Sequence, residues 1–196
     1  MSSTLSFYAD NAEDFFRRTV SLDLEPLYRR FVPHLPAGGA VLDAGCGSGR
    51  DSAAFLQAGF AVTAFDAVPE LARRAAELTG LEVAVSRFDE FHSRIPFDGI
   101  WASASLLHVP EGDLPGVIRH LAGFLKPGGV FYMSFKHGNG ETVRGPRRFT
   151  DMDEDGFARL ADALSGTLAL SETWTSEDTR LMRDGERWMN GLWRTS

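Results

Sequence analysis

The stretch Val41 to Asp51, reading VLDAGCGSGRD, constrains this chain more than any other. A short apolar run meets an acid and then a loop with glycine at every second position, Gly45, Gly47 and Gly49. Glycine lacks the Cβ that blocks sharp turns and close approach, so such a loop bends tightly and lets a ligand touch main-chain atoms. The segment reads as the strand, loop and helix start of a wound α/β sheet.

Two residues narrow the ligand. A dinucleotide fingerprint needs G-x-G-x-x-G, and here the third glycine comes one position early, with Arg50 in its place. Asp43 puts a carboxylate near the strand end, where it repels a pyrophosphate and attracts an ammonium group. Downstream, FAVTAFD from Phe60 to Asp66 reads as a second buried strand ending in an acid, where a ribose-binding carboxylate belongs. An adenosine with an amino-acid tail, as in S-adenosylmethionine, fits both acids.

The chain resembles the class I S-adenosylmethionine-dependent methyltransferases, and within them the small bacterial tellurite-resistance-related group. The resemblance rests on VLDAGCGSGRD, on Asp66, on FDGIWASASLLHV from Phe97 to Val109, and on LKPGG from Leu125 to Gly129. It implies one domain over residues 1–196, with residues 1–35 as a helical cap and 36–196 as the cofactor-binding core. The implied fold is α/β: a Rossmann-like, doubly wound sheet of seven strands, mostly parallel, with an antiparallel C-terminal hairpin strand and an N-terminal helical lid.

Composition is that of an ordinary soluble globular protein. The chain has 196 residues, 43% hydrophobic and 24% charged, which suits one sizeable core. A net charge of -7 disfavours broad contact with phosphate backbones, so no DNA partner is expected. Cys46 is the only cysteine and no apolar run approaches ~20 residues, so the expectations are a cytoplasmic protein without a disulfide or membrane partner. The expected partner is a small-molecule substrate, with the chain a monomer or weak homodimer.

Periodicity sets the remaining elements. Apolar residues at mixed three- and four-residue spacing predict a pair of helices before Pro36. Strands follow at about 40–44, 60–65, 81–86, 98–103 and 130–135, with helices at about 51–58, 69–78 and 111–125. Pro69 in a first turn and Gly59 and Gly80 just past helix ends support those limits. Lys126 to Gly129 reads as a turn, and residues 137–151 as the least regular segment. A helix at about 153–165 and strands at about 167–175 and 187–194 close the chain, the two strands joined by a polar connection.

Several residues are candidates for chemistry. The resemblance assigns Asp43, Gly45, Gly47, Gly49 and Arg50 to the methionine end, Asp66 to the ribose, the Phe88 loop to the base and Ser103 to the back of the cofactor. Phe88 also suits a core position, and Tyr8 matches a lid aromatic that touches cofactor or substrate. The Asn/Asp-Pro-Pro-aromatic turn of nucleic-acid amino-methyltransferases is absent after strand four, where the chain reads Ala102-Ser103-Ala104-Ser105.

His108 is a candidate general base, or else a residue that orients its loop. His137, Arg144 and Arg148, with Lys136 and Arg147, lie where a substrate would enter, as an anion clamp or as a solvated loop. No metal is called for, because displacement at a sulfonium needs alignment in a dry pocket. A hydroxyl or amine acceptor needs a base, whereas a thiolate or chalcogen oxyanion needs little. A regulatory protein that binds S-adenosylmethionine without transferring methyl is the competing class.

Overall fold

The structure is a computed structural model that describes residues 3–178 and 185–195. Its main sheet has seven strands: β1 Ala40–Ala44, β2 Ala61–Asp66, β3 Val83–Val85, β4 Phe97–Ala102, β5 Leu125–Lys136, β8 Leu168–Glu177 and β9 Arg187–Thr195, in the order β3-β2-β1-β4-β5-β9-β8. The first five are mutually parallel, and β9 runs antiparallel between β5 and β8. Strand order reverses between β1 and β4, which opens a crevice beyond their carboxyl ends. The expected Rossmann-like sheet and its C-terminal antiparallel strand are both present.

Alternation on the central strands builds two cores. Val41, Trp101 and Tyr132 face one side, where they meet Phe31 of α3 (Glu25–Phe31) and Phe55 of α4 (Arg50–Gln57). Leu42, Ile100, Phe131 and Met133 face the other, against Leu114, Ile118 and Leu121 of α6 (Leu114–Ala122) and Phe157 of α7 (Glu154–Ala163). A strand buried on both faces needs apolar side chains at successive positions, and these strands have them. Trp101 and Tyr132 stack at 3.9 Å between centroids across neighbouring strands.

Gly99 shows how tightly α3 sits. A Cβ there would lie 2.6 Å from Cζ of Phe31 and 2.7 Å from Cδ2 of Leu35. Gly99→Ala is therefore expected to cost about 1–3 kcal/mol by overpacking. Chemical denaturation would check it, and an unchanged midpoint would contradict this packing.

Three sequence expectations are corrected. The N-terminal region forms three helices rather than two: α1 Ser3–Asp10, α2 Ala12–Thr19 and α3, of which only α3 packs on the sheet core. The LKPGG segment turns inside β5 rather than before it: Leu125 already pairs with Phe97, Val130 pairs with Gly99, and Gly128 between them has φ 76°. Residues 137–151 are not irregular. They contain an antiparallel hairpin, β6 Gly140–Arg144 and β7 Arg147–Asp151, joined by Gly145 and Pro146. Two ion pairs cross it, Glu141 with Arg148 and Arg144 with Asp151, while the register sets Val143 opposite Arg148 and Arg144 opposite Arg147, so no apolar alternation announces it.

Candidate functional site

A cavity of about 890 Å³ opens beyond the ends of β1, β2, β4 and β5. Helices α1 and α2 cover it through Thr4, Phe7, Tyr8 and Phe15, and the β6–β7 hairpin closes another side through Arg144, Arg147 and Phe149. That volume is at the upper end of the ~300–1,000 Å³ typical of small-molecule sites.

The glycine loop forms one wall. The amides of Gly45 and Cys46 donate to the Phe65 carbonyl at 3.0 Å each, which ties the loop to the end of β2. Gly45 has φ 75°, and a Cβ on it would come within 2.7 Å of Cβ of Ser105. Gly47 has φ 56° and lies beneath Phe15, whose Cε1 would be 3.1 Å from an added Cβ. Both glycines line the cavity. Gly49 instead faces Ala75 of α5 (Pro69–Thr79) and lets two helices approach.

Asp66 ends β2 in the cavity wall. Its Oδ2 accepts from the Gly47 amide at 2.9 Å and its Oδ1 from the Val68 amide at 2.8 Å. Burial raises its carboxyl to about 6, partly offset by those bonds, so it is ionised at neutral pH. Phe88 and Ser103 line the same cavity, and the Phe88 ring also packs edge-on against Phe65, so its cavity and core roles coexist.

Asp43 does not reach the cavity wall. Its Oδ2 accepts from the Ser52 hydroxyl at 2.6 Å, and burial together with the nearby Asp51 charge raises its carboxyl well above the usual range. In this arrangement its contact is with α4, not with an ammonium group in the cavity. Arg50 lines the cavity, but its guanidinium forks onto Asp51 at 2.6 and 3.0 Å. Asp51 also accepts from the Tyr28 hydroxyl at 2.5 Å and the Trp101 indole at 2.8 Å. Desolvation alone would raise Asp51, yet Arg50 and these donors hold it below the usual range. The Asp51 network was not legible in sequence, where the residue reads as a helix start.

His108 closes a short 3-10 turn after β4. Its Nδ1 is 2.7 Å from the Arg148 carbonyl, which can only accept, so the proton is on Nδ1. Nε2 then accepts from the Tyr8 hydroxyl at 2.9 Å. Desolvation, with help from the Arg147 charge, lowers the imidazole to about 4, so it is neutral at physiological pH. Beside it, Ala104 has φ 51°, and its amide donates to the Ser134 hydroxyl at 2.9 Å. Strained backbone of this kind concentrates at functional sites.

The hairpin residues divide. Arg144 and Arg147 line the cavity, as does Lys136, whereas His137 and Arg148 do not. His137 has Nε2 3.8 Å from Glu154, and the Arg148 side chain pairs with Glu141. Cys46 lines the cavity with its thiol pushed up by burial, so it stays protonated. Among the described residues, no helix is long and apolar enough to cross a membrane.

Comparison with known proteins agrees with this architecture. A family profile described as a methyltransferase domain matches residues 16–145. A ubiquinone biosynthesis O-methyltransferase of Xanthomonas axonopodis pv. citri is 38% identical over 107 residues, and the match covers 50% of this chain and 44% of that protein. A relative of the same name from Xylella fastidiosa is 39% identical over 106 residues, covering 50% of this chain and 42% of its own length. The chain thus spans less than half the length of these relatives. Among solved structures, the 1,6-didemethyltoxoflavin-N1-methyltransferase of Burkholderia thailandensis, with S-adenosylhomocysteine bound, superposes with a TM-score of 0.76 at 24% identity, over 98% of this chain and 85% of that one. The magnesium protoporphyrin IX methyltransferase of Synechocystis PCC 6803, with S-adenosylmethionine bound, gives 0.71 at 18% identity, over 100% of this chain and 98% of that one. At these identities the likeness is one of fold.

Proposed function

This chain belongs to the methyltransferase-domain family, and from that premise we propose that it transfers a methyl group from S-adenosylmethionine to a small-molecule acceptor. The observation that carries the proposal is one cavity walled by the buried Asp66 carboxylate, the Gly45 and Gly47 bend and the Tyr8–His108 pair. S-adenosylmethionine, when bound, supplies an electrophilic methyl on a sulfonium whose breaking S–C bond leaves its electron pair on sulfur. Asp66 would accept from ribose hydroxyls, and the left-handed bend at Gly45 and Gly47, where a Cβ would meet Ser105 and Phe15, would turn main-chain atoms toward the cofactor. The fit to this cofactor is supported by a buried acid in the cavity wall whose oxygens accept from backbone amides, Gly47 and Val68 among them, and keep lone-pair capacity for a hydroxyl.

Protons have a route out of the cavity. An acceptor O–H or N–H beside Tyr8 can pass its proton to the Tyr8 oxygen while the phenol proton moves to Nε2 of His108. A base as weak as His108 suffices, because the acceptor atom loses proton affinity as it bonds to the methyl carbon. His108 is therefore assigned as the proton acceptor and Tyr8 as the group that touches the acceptor. An organic acceptor is favoured over the oxyanion suggested by the tellurite-related resemblance, since aromatic side chains make up much of the outer cavity. The competing regulatory reading is disfavoured by a cavity large enough for a second molecule.

Calorimetric titration with S-adenosylmethionine and S-adenosylhomocysteine tests the cofactor, and absence of binding sinks the proposal. His108→Gln is expected to lower kcat by about 10²-fold while leaving the affinity for S-adenosylhomocysteine unchanged. Because His108 is already neutral above about 4, kcat should stay flat through the neutral range. Binding of the cofactor should instead weaken as pH falls through about 6, where Asp66 takes up a proton. Full turnover by His108→Gln would remove it from the mechanism.

A further inference from the structure

The cavity's cations differ in one respect. Arg50 is held by Asp51, Arg144 by Asp151 and Lys136 by Glu186. Arg147 also lines the cavity, and among the described residues no carboxylate pairs with it. Its Nε is buried without a hydrogen-bond partner, and among the described residues its one side-chain hydrogen bond is a long 3.4 Å from a terminal nitrogen to the Tyr8 hydroxyl. The guanidinium carbon lies 4.5 Å from the Phe7 ring centre, 5.1 Å from Phe149 and 5.8 Å from Tyr8. A desolvated donor without an acceptor is unfavourable unless a ligand supplies one.

From this niche we infer that Arg147 is the specificity residue for the acceptor, binding an anionic oxygen, most simply a carboxylate, carried on a flat aromatic molecule. Two features choose the class. The guanidinium offers parallel donors that match a carboxylate. Phe7, Tyr8 and Phe149 line the cavity around Arg147 and make an apolar, aromatic wall on which an aromatic body packs and an inorganic oxyanion does not. Position agrees as well, because the Tyr8 hydroxyl that Arg147 approaches is the one bonded to His108. An acid held there has its reacting atom within a small molecule's length of the proton acceptor. The inference rests on the methyl-transfer reading for the reaction, but the anion site stands on the cavity alone.

The test uses binding and does not depend on turnover. Protein loaded with S-adenosylhomocysteine is titrated with benzoate, 3,4-dihydroxybenzoate and 2-naphthoate, each beside its methyl ester, and with selenite. The expected result is that at least one acid binds about tenfold or more tightly than its ester. Arg147→Met should erase that preference while S-adenosylhomocysteine binds as before, and Arg147→Lys should keep part of it. Equal binding of every acid and its ester, or a preference that survives Arg147→Met, overturns the inference. Selenite binding as tightly as the acids overturns its aromatic part. If S-adenosylhomocysteine itself fails to bind, the methyl-transfer reading falls, and the same titrations on the unloaded protein still decide the role of Arg147.

Discussion

Replacing Asp66 with alanine is expected to weaken binding of S-adenosylhomocysteine by about two to four orders of magnitude. The carboxylate is buried at the end of β2 in the cavity wall, where both ribose hydroxyls of an adenosine could reach it. Hydrogen bonds to a charged group contribute roughly 1.5–3 kcal/mol each, and two would be lost together. The Gly47 amide, which Asp66 now holds at 2.9 Å, would also lose its partner, loosening the loop that lies along the cofactor.

Asp66→Asn separates charge from shape. Burial raises the Asp66 carboxyl from 3.8 to about 6, so the folded chain holds that proton more tightly than the unfolded chain does. Its contribution to stability is then fully present below about 3.8 and is lost as pH rises through about 6. At neutral pH the ionised acid serves binding at the expense of stability; Asp66→Asn removes that cost but turns a donor on one of the two amides, so it should melt close to the parent while binding cofactor poorly. Calorimetry and thermal denaturation on the two variants read both effects. Parental affinity in Asp66→Ala would remove the ribose role.

Asp51→Ala should produce the largest loss of stability, about 3–5 kcal/mol. The substitution strands three donors at once: the Arg50 guanidinium, the Tyr28 hydroxyl and the Trp101 indole. Trp101 is fully buried, and the Arg50 side chain is only 18% exposed, so the stranded donors are poorly hydrated. Asp51→Asn keeps one carbonyl oxygen and should lose less. The pH dependence runs opposite to that of Asp66. Because Asp51 is held below its usual value, its stabilisation is present above the unfolded value and disappears as pH falls through the folded one. Denaturant titration at neutral and acid pH would measure both terms, and a neutral-pH loss below about 1 kcal/mol would show that the network is dispensable.

The link from Asp51 to the site runs through Arg50. Its guanidinium contacts the Thr19 carbonyl at 3.4 Å, where α2 ends over the cavity. Loss of Asp51 should therefore loosen the lid as well as the core.

Much of the scaffold was legible because its signals are local. The glycine bend, Pro69 at the start of α5, Gly80 at its end and the apolar runs of β1, β2 and β4 each depend on a residue's own backbone or on near neighbours. The β6–β7 hairpin was not legible, since only one of its side chains, Phe149, joins the hydrophobic core, and charged pairs and lid contacts hold the rest. One such contact is the Arg148 amide with the Thr4 hydroxyl at 3.2 Å. Its one local sign is the two-residue Gly145–Pro146 loop, whose glycine has φ 63° and fits a hairpin turn.

Local signals along the chain suffice for a mostly parallel sheet with a glycine bend and an acid at the end of β2. Which neighbours of those signals face the cavity is set by tertiary packing. Lys136 lines it and His137 does not, and Arg147 lines it while Arg148 turns its side chain to Glu141. Adjacent residues of an extended chain point to opposite faces, so a shift of one position exchanges inside for outside. That choice rests on strand register and on what packs above the strand, and both are set by residues far away in the chain.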